Sequence, residues 1–118
     1  MTTTRESILA LAQQLPVESL SLPALGEVHL RGITGAERDS YEQSCIETRG
    51  GVRLVNMRNA RARLLVRALC DSTGKRLFAD ADDEALGGVP AQVLDQMYAV
   101  AARLSGLGAR DAEELAGN

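Results

Sequence analysis

Residues 56–78, NMRNARARLLVRALCDSTGKRLF, carry the pattern on which the fold turns. At about 100° per residue, Met57, Ala62, Leu64, Leu65, Val66, Ala68 and Leu69 gather in one broad apolar arc, with Arg63 and Arg67 opposite. That spacing predicts a helix from about residue 56 to 68. Arg61 falls inside the arc between Met57 and Leu65, where an unpaired guanidinium would be costly. A structural ion pair to Glu37 or Asp39 on a neighbouring helix is therefore expected. Beyond the helix, Asp71, Ser72, Thr73 and Gly74 interrupt two apolar pairs, the signal of a small hairpin or a helix-to-strand turn.

Working towards the N-terminus, Thr34 and Glu37 form a T-x-x-E capping box and predict a helix over 35–48, broken by Gly50 and Gly51. Val28 and Leu30 alternate with Glu27, His29 and Arg31, so a short strand is expected at 27–31. Ile8, Leu9, Leu11 and Leu15 follow a Thr3 or Thr4 cap and stop before Pro16, predicting a short helix. Towards the C-terminus, the acids from Asp80 to Glu84 complement the positive end of a short helix containing Ala85 and Leu86. Pro90 then sits at the first position of the clearest helix, whose apolar face comprises Val93, Leu94, Met97, Tyr98, Val100, Ala101 and Leu104. Gly106 and Gly108 end it, and a last helical turn or two is expected at 111–115. The resulting expectation is a mainly α fold with α+β character: four to five helices with a small β-hairpin or short strands. Residues 1–118 read as one domain, with 1–25 an N-terminal arm.

With 118 residues, 45% apolar and 25% charged, the chain is long enough to bury a core without metals or disulfides. Tyr41, Phe78 and Tyr98 are its only aromatic residues, too few and too scattered for base-stacking recognition of single strands. Its apolar stretches fall far short of the roughly 20 residues needed to cross a bilayer, and no secretory leader is written, so a cytosolic protein is expected. Cys45 and Cys70 lack metal or redox spacing and read as buried thiols. Net charge is −3, distributed as −4 over residues 1–48, +7 over 49–76 and −6 over 77–118. Arg supplies 12 of the 13 basic residues, which favours bidentate pairing with carboxylates within the fold or between copies.

Asp80, Asp82, Asp83 and Glu84 superficially resemble a calcium loop. Ala85 and Ala91, however, stand where such a loop needs its sixth-position Gly and twelfth-position Glu, so helix capping is the better reading. His29 has no recognisable nucleophile and orienting carboxylate around it. Gly50-Gly51 and Gly87-Gly88 lack the Lys and Ser or Thr of a phosphate loop. No catalytic residue, cofactor site or metal site is therefore assigned. The segment from Arg49 to Arg67 could contact phosphates, which makes a small nucleic-acid-binding regulator the alternative reading. A pI near 5.1 and arginines on different helix faces weigh against it.

The segments VHLRGITGAERDSYE (28–42), NARARLLVRALCDSTGKRLFADAD (59–82), LGGVPAQVLDQMYAVAARLSGL (86–107) and the terminal DAEELAGN, in this order, resemble the tail assembly chaperones of long-tailed bacteriophages. The resemblance covers about residues 26–118. It implies a non-enzymatic assembly factor that binds and solubilises the tape measure protein, acts as a homo-oligomer in the host cell cytoplasm, and yields to the tail tube protein. It also implies absence from the finished virion, and neither nucleic acid nor membrane as partner. On that reading Leu94, Met97, Tyr98 and Ala101 contribute to the partner-binding surface. Arg63 and Arg67 of one copy would meet Asp82, Asp83, Glu113 and Glu114 of the next.

Overall fold

A computed structural model of the chain describes residues 2–107. The central sheet begins with an antiparallel hairpin of β1 (Val17–Leu22) and β2 (Gly26–Arg31), in register from Val17 opposite Arg31 to Leu22 opposite Gly26. Pro23 pre-sets the connecting turn, which is closed by the Leu25 N–H donating to the Leu22 carbonyl at 3.1 Å. A two-residue strand, β5 (Leu69–Cys70), pairs with the other side of β2, giving the order β1-β2-β5.

The helices pack over this sheet and over one another. The helix α2 (Gly35–Ser44) opens with the expected reciprocal cap: Thr34 Oγ1 accepts the Glu37 N–H at 3.1 Å and Glu37 Oε1 accepts the Thr34 N–H at 2.9 Å. The helix α3 (Ala60–Ala68) runs directly into β5, and its Val66 carbonyl finds a partner outside the helix in Arg76. After β5, the Asp71 carboxylate ties the turn by accepting from Thr73 N, Thr73 Oγ1 and Lys75 N. Those bonds, the Thr73 hydroxyl's first, hold the Asp71 carboxyl below its ordinary range. A 3₁₀ turn at Asp80–Asp82 and the short α4 (Asp83–Leu86) precede α5 (Ala91–Leu104).

The core forms around α3 because both of its long sides are covered. Ala62, Leu64, Leu65, Val66 and Ala68 pack with Leu30 of β2, Tyr41 of α2, Leu86 of α4 and Met97 of α5. At about 1.5–3 kcal/mol for each large apolar side chain removed from water, this cluster dominates stability. Burial pushes the Tyr41 phenol well above its ordinary value, with Tyr98 and Cys45 beside it adding to the effect. Gly32 lies where α5 ends against the sheet: a Cβ there would meet the Leu104 carbonyl oxygen at 2.8 Å and the Pro16 ring at 3.3 Å.

The mainly helical expectation is corrected by these strands. The described residues form a mixed α+β fold with five α-helices and five strands in two antiparallel sheets. One source of the difference is the segment 17–25, read as part of an arm, where 17–22 is a full partner of β2. The other is the segment 45–55. The helix expected to reach residue 48 stops at Ser44, and β3 (Ile46–Arg49) pairs with β4 (Val52–Val55). Gly50 and Gly51, at φ +55° and +80°, supply the two left-handed residues of a tight hairpin turn. Local turn chemistry thus overrides continuation of the helix. The third helix also starts at Ala60 rather than 56, with Asn59 in the left-handed region as its cap residue. The turn expected at 111–115 lies outside the described residues.

Two elements stand apart from the core. The N-terminal α1 (Arg5–Ala10) is capped by Thr4 and Ser7 yet buries nothing, leaving Ile8, Leu9 and Leu11 each more than half exposed. The β3–β4 ribbon exposes all four residues of β4, and its base is held by the Asn56 N–H on the Cys45 carbonyl at 2.6 Å.

Candidate functional site

The apolar face of α5 turns inward. Leu94, Met97 and Ala101 are buried, Met97 at 2% and Ala101 at 0% exposure, so they hold the helix onto α3 and β2 instead of lining a free surface. Their expected place in a partner-binding surface is corrected accordingly for Met97 and Ala101. Tyr98 is half-buried, and with the edge of Leu94 it forms one wall of a cleft of about 400 Å³. Met57, Ala60, Val89 and Ala91 complete the apolar lining, and Arg61 stands at the cleft with its guanidinium half exposed. The start of α3 and the start of α5 both border this opening, and neither has a side-chain cap.

Arg61 pairs with Asp95 of α5, Nε to Oδ1 at 2.6 Å, with both side chains more than half in solvent. The expectation of a buried pair to Glu37 or Asp39 is corrected on both counts. Its position in the apolar arc is right for a residue at the junction of α3 and α5, but the first turn of α3 lies at the rim, where the charge stays hydrated.

Buried arginine appears on the other side of α3. Arg67 is 3% exposed, donating from Nη2 to Ser40 Oγ at 2.9 Å and reaching Asp80 Oδ2 at 3.4 Å. Arg63 donates to the Asn56 carbonyl at 2.7 Å and faces Asp83 at 3.8 Å. Arg76 donates to the Val66 carbonyl from both Nε and Nη2, satisfying an acceptor near the end of α3, and binds Asp80 Oδ1 at 2.7 Å. Arg31, 5% exposed, grips Glu37 with two parallel bonds of 3.1 and 2.7 Å. Burial works to raise the Glu37 carboxyl, but the bonds from Arg31 and Thr34 and the charges of Arg31 and Arg76 outweigh it and hold it below its ordinary range. The Asp80 carboxyl is also held low, chiefly by its bond from Arg76 against a smaller opposing effect of burial.

This network uses Arg63 and Arg67 inside one chain, with Arg67 buried. Asp83 is engaged by Arg63, and Asp82 accepts the Ala79 N–H at 2.8 Å, capping the turn before α4. The acids that resembled a calcium loop are thus held by helix capping and arginine pairing. Asp39 lies exposed on α2, away from Arg61. Glu113 and Glu114 lie outside the described residues. The alternation of Glu27, His29 and Arg31 already placed Arg31 on β2, but pairing it with Glu37 requires the turn between strand and helix. Nothing in the local sequence links Arg76 or Asp80 to Arg67.

The described residues contain no cluster of three potential metal ligands and no helix long and apolar enough to cross a membrane. The arrangement offers a shallow amphipathic cleft for binding and an internal lattice of ion pairs. Residues 23–118 match the family model for phage tail assembly chaperones. The structure is similar to that of the bacteriophage HK97 tail assembly chaperone, with a TM-score of 0.59 and 18% identity. That match covers 84% of this chain and 97% of the HK97 chain, and at this identity it speaks to the fold alone. The search of curated proteins finds no significant match. With more than three-quarters of its length inside the family model, the chain belongs to the phage tail assembly chaperone family.

Proposed function

We propose that the protein is a non-enzymatic chaperone that binds the tape measure protein, keeps it soluble while the tail tube assembles, and acts as a multimer. The observation that carries this reading is the family match over residues 23–118. On this reading it works in the host cytoplasm, yields its partner to the tail tube protein and is absent from the finished virion. The cleft suits apolar side chains of a helical partner: Met57 adapts its shape, Tyr98 combines an apolar ring with a polar tip, and Val89 adds a fixed wall. A contact of this size is weak alone, so many copies along one extended partner gain through multivalency while each remains displaceable. Pairing of Arg61, Arg63 and Arg67 with Asp95, Asp83 and Asp80 supports this reading over nucleic-acid binding by the same helix.

The test is coexpression with tape measure fragments, followed by size-exclusion chromatography with light scattering. A soluble co-eluting complex is expected, and Ala91→Asp, at an exposed position of the cleft in the first turn of α5, should weaken it without unfolding the protein. Fragments that stay insoluble beside a strictly monomeric chain would refute the reading.

A further inference from the structure

The arginines of α3 are engaged within the fold, so the basic surface lies elsewhere, on and beside the β3–β4 ribbon. Arg49 projects from β3 with Glu47 at 3.0 Å, and Arg58, just past the base, faces Glu84 only at 3.9 Å. Arg53 lies exposed on β4 between Val52 and Leu54, opposite Thr48. Val52, Leu54 and Val55 are all large, apolar and exposed. Two four-residue strands are marginal alone, and an open strand edge with apolar side chains is a template for association. A partner must therefore be acidic and interleaved with apolar residues.

The same chain contains such a sequence. Residues 108–118, GARDAEELAGN, hold Asp111, Glu113 and Glu114 against Arg110, interleaved with Ala112, Leu115 and Ala116. We propose that the β3–β4 ribbon is the docking surface for residues 108–118 of a second copy. This rests on the multimeric reading above and names its contact.

A second copy is taken as the occupant because the multimeric reading needs a contact between copies, and the ribbon and the end of the described chain offer different surfaces for it. The end of α5 sits against Gly32 and Pro16, just before α2 begins. The ribbon leaves from Cys45, at the other end of α2, roughly 15 Å away along a ten-residue helix. Different surfaces at two ends of one molecule make a head-to-tail contact, which propagates from copy to copy. The exposed apolar residues and the overall charge of −3 favour an acidic peptide over phosphates as the occupant.

Full-length protein is compared with Arg53→Glu/Arg58→Glu, with Glu113→Arg/Glu114→Arg, and with an equimolar mixture of these two variants, by light scattering over a concentration series. Each variant is expected to raise the concentration needed for self-association at least tenfold. The mixture is expected to restore self-association as alternating multimers, the reversed terminus of one variant meeting the reversed ribbon of the other and the wild-type terminus meeting the wild-type ribbon. Arg53→Gln/Arg58→Gln should give the same direction with a smaller shift, and circular dichroism checks folding throughout. Wild-type multimers unchanged in both variants would overturn this contact while leaving the multimeric reading intact. A wild-type chain that stays monomeric would overturn both. Loss of duplex DNA binding at low salt, with self-association unchanged, would overturn the peptide as occupant.

Discussion

The arginines of α3 and those of the β3–β4 ribbon belong to the same basic block of sequence, yet the fold treats them in opposite ways. Arg67 is buried with Ser40 and Asp80, while Arg53 stands in solvent. The difference teaches that charge along a sequence does not define a charged surface. Within the block, Arg63 and Arg67 lie under carboxylates from distant segments, whereas Arg61 at the rim of α3 and Arg53 on the ribbon stay exposed.

Removing a carboxylate from the buried side should have the largest effect. Glu37→Ala leaves Arg31 buried without its bidentate partner and removes half of the α2 cap, so a loss of about 3–5 kcal/mol is expected in urea unfolding. Glu37→Gln should cost less because it can retain the cap. A loss below about 1 kcal/mol for Glu37→Ala would show that the ion-pair lattice is not a stability element.

Acid should expose the same asymmetry. Glu37 and Asp80 are held below their ordinary values of 4.5 and 3.8, so their stabilising contribution is present above that range and is lost as pH falls through the lowered folded values. Melting temperature should therefore fall below about pH 4.5, and Glu37→Gln should flatten that fall. Substitutions in the ribbon should leave its slope unchanged.

Smaller effects separate contact from exposure. Gly32→Ala forces a methyl against the Leu104 carbonyl oxygen, with an expected cost of about 1–3 kcal/mol in thermal or urea unfolding. Arg61→Ala breaks a solvent-exposed pair and should cost about 0.2–1 kcal/mol, in contrast to the larger loss that burial of this arginine would have required. Leu54→Ser, on the exposed ribbon, should change stability by no more than about 0.5 kcal/mol while weakening self-association. An equal loss of stability from Leu54→Ser and Glu37→Ala would erase the distinction between the two regions.

The sequence by itself determined the elements whose signals are local. The Thr34–Glu37 box fixed the start of α2, apolar spacing identified α3 and α5, and Asp71 to Gly74 marked the turn after β5. The order of motifs along the chain also carried the family resemblance. Less legible were the short strands: 17–22 is defined by pairing to β2, and 46–55 required the Gly50–Gly51 turn to outweigh the preceding helix. Only tertiary structure decided which arginines are buried, because Arg67 and Arg61 differ by which segment lies across them. It likewise decided that Met97 and Ala101 belong to the core and Tyr98 to the cleft. A helical period defines an apolar face, but whether that face meets the chain's own sheet or a partner depends on contacts between residues far apart in sequence.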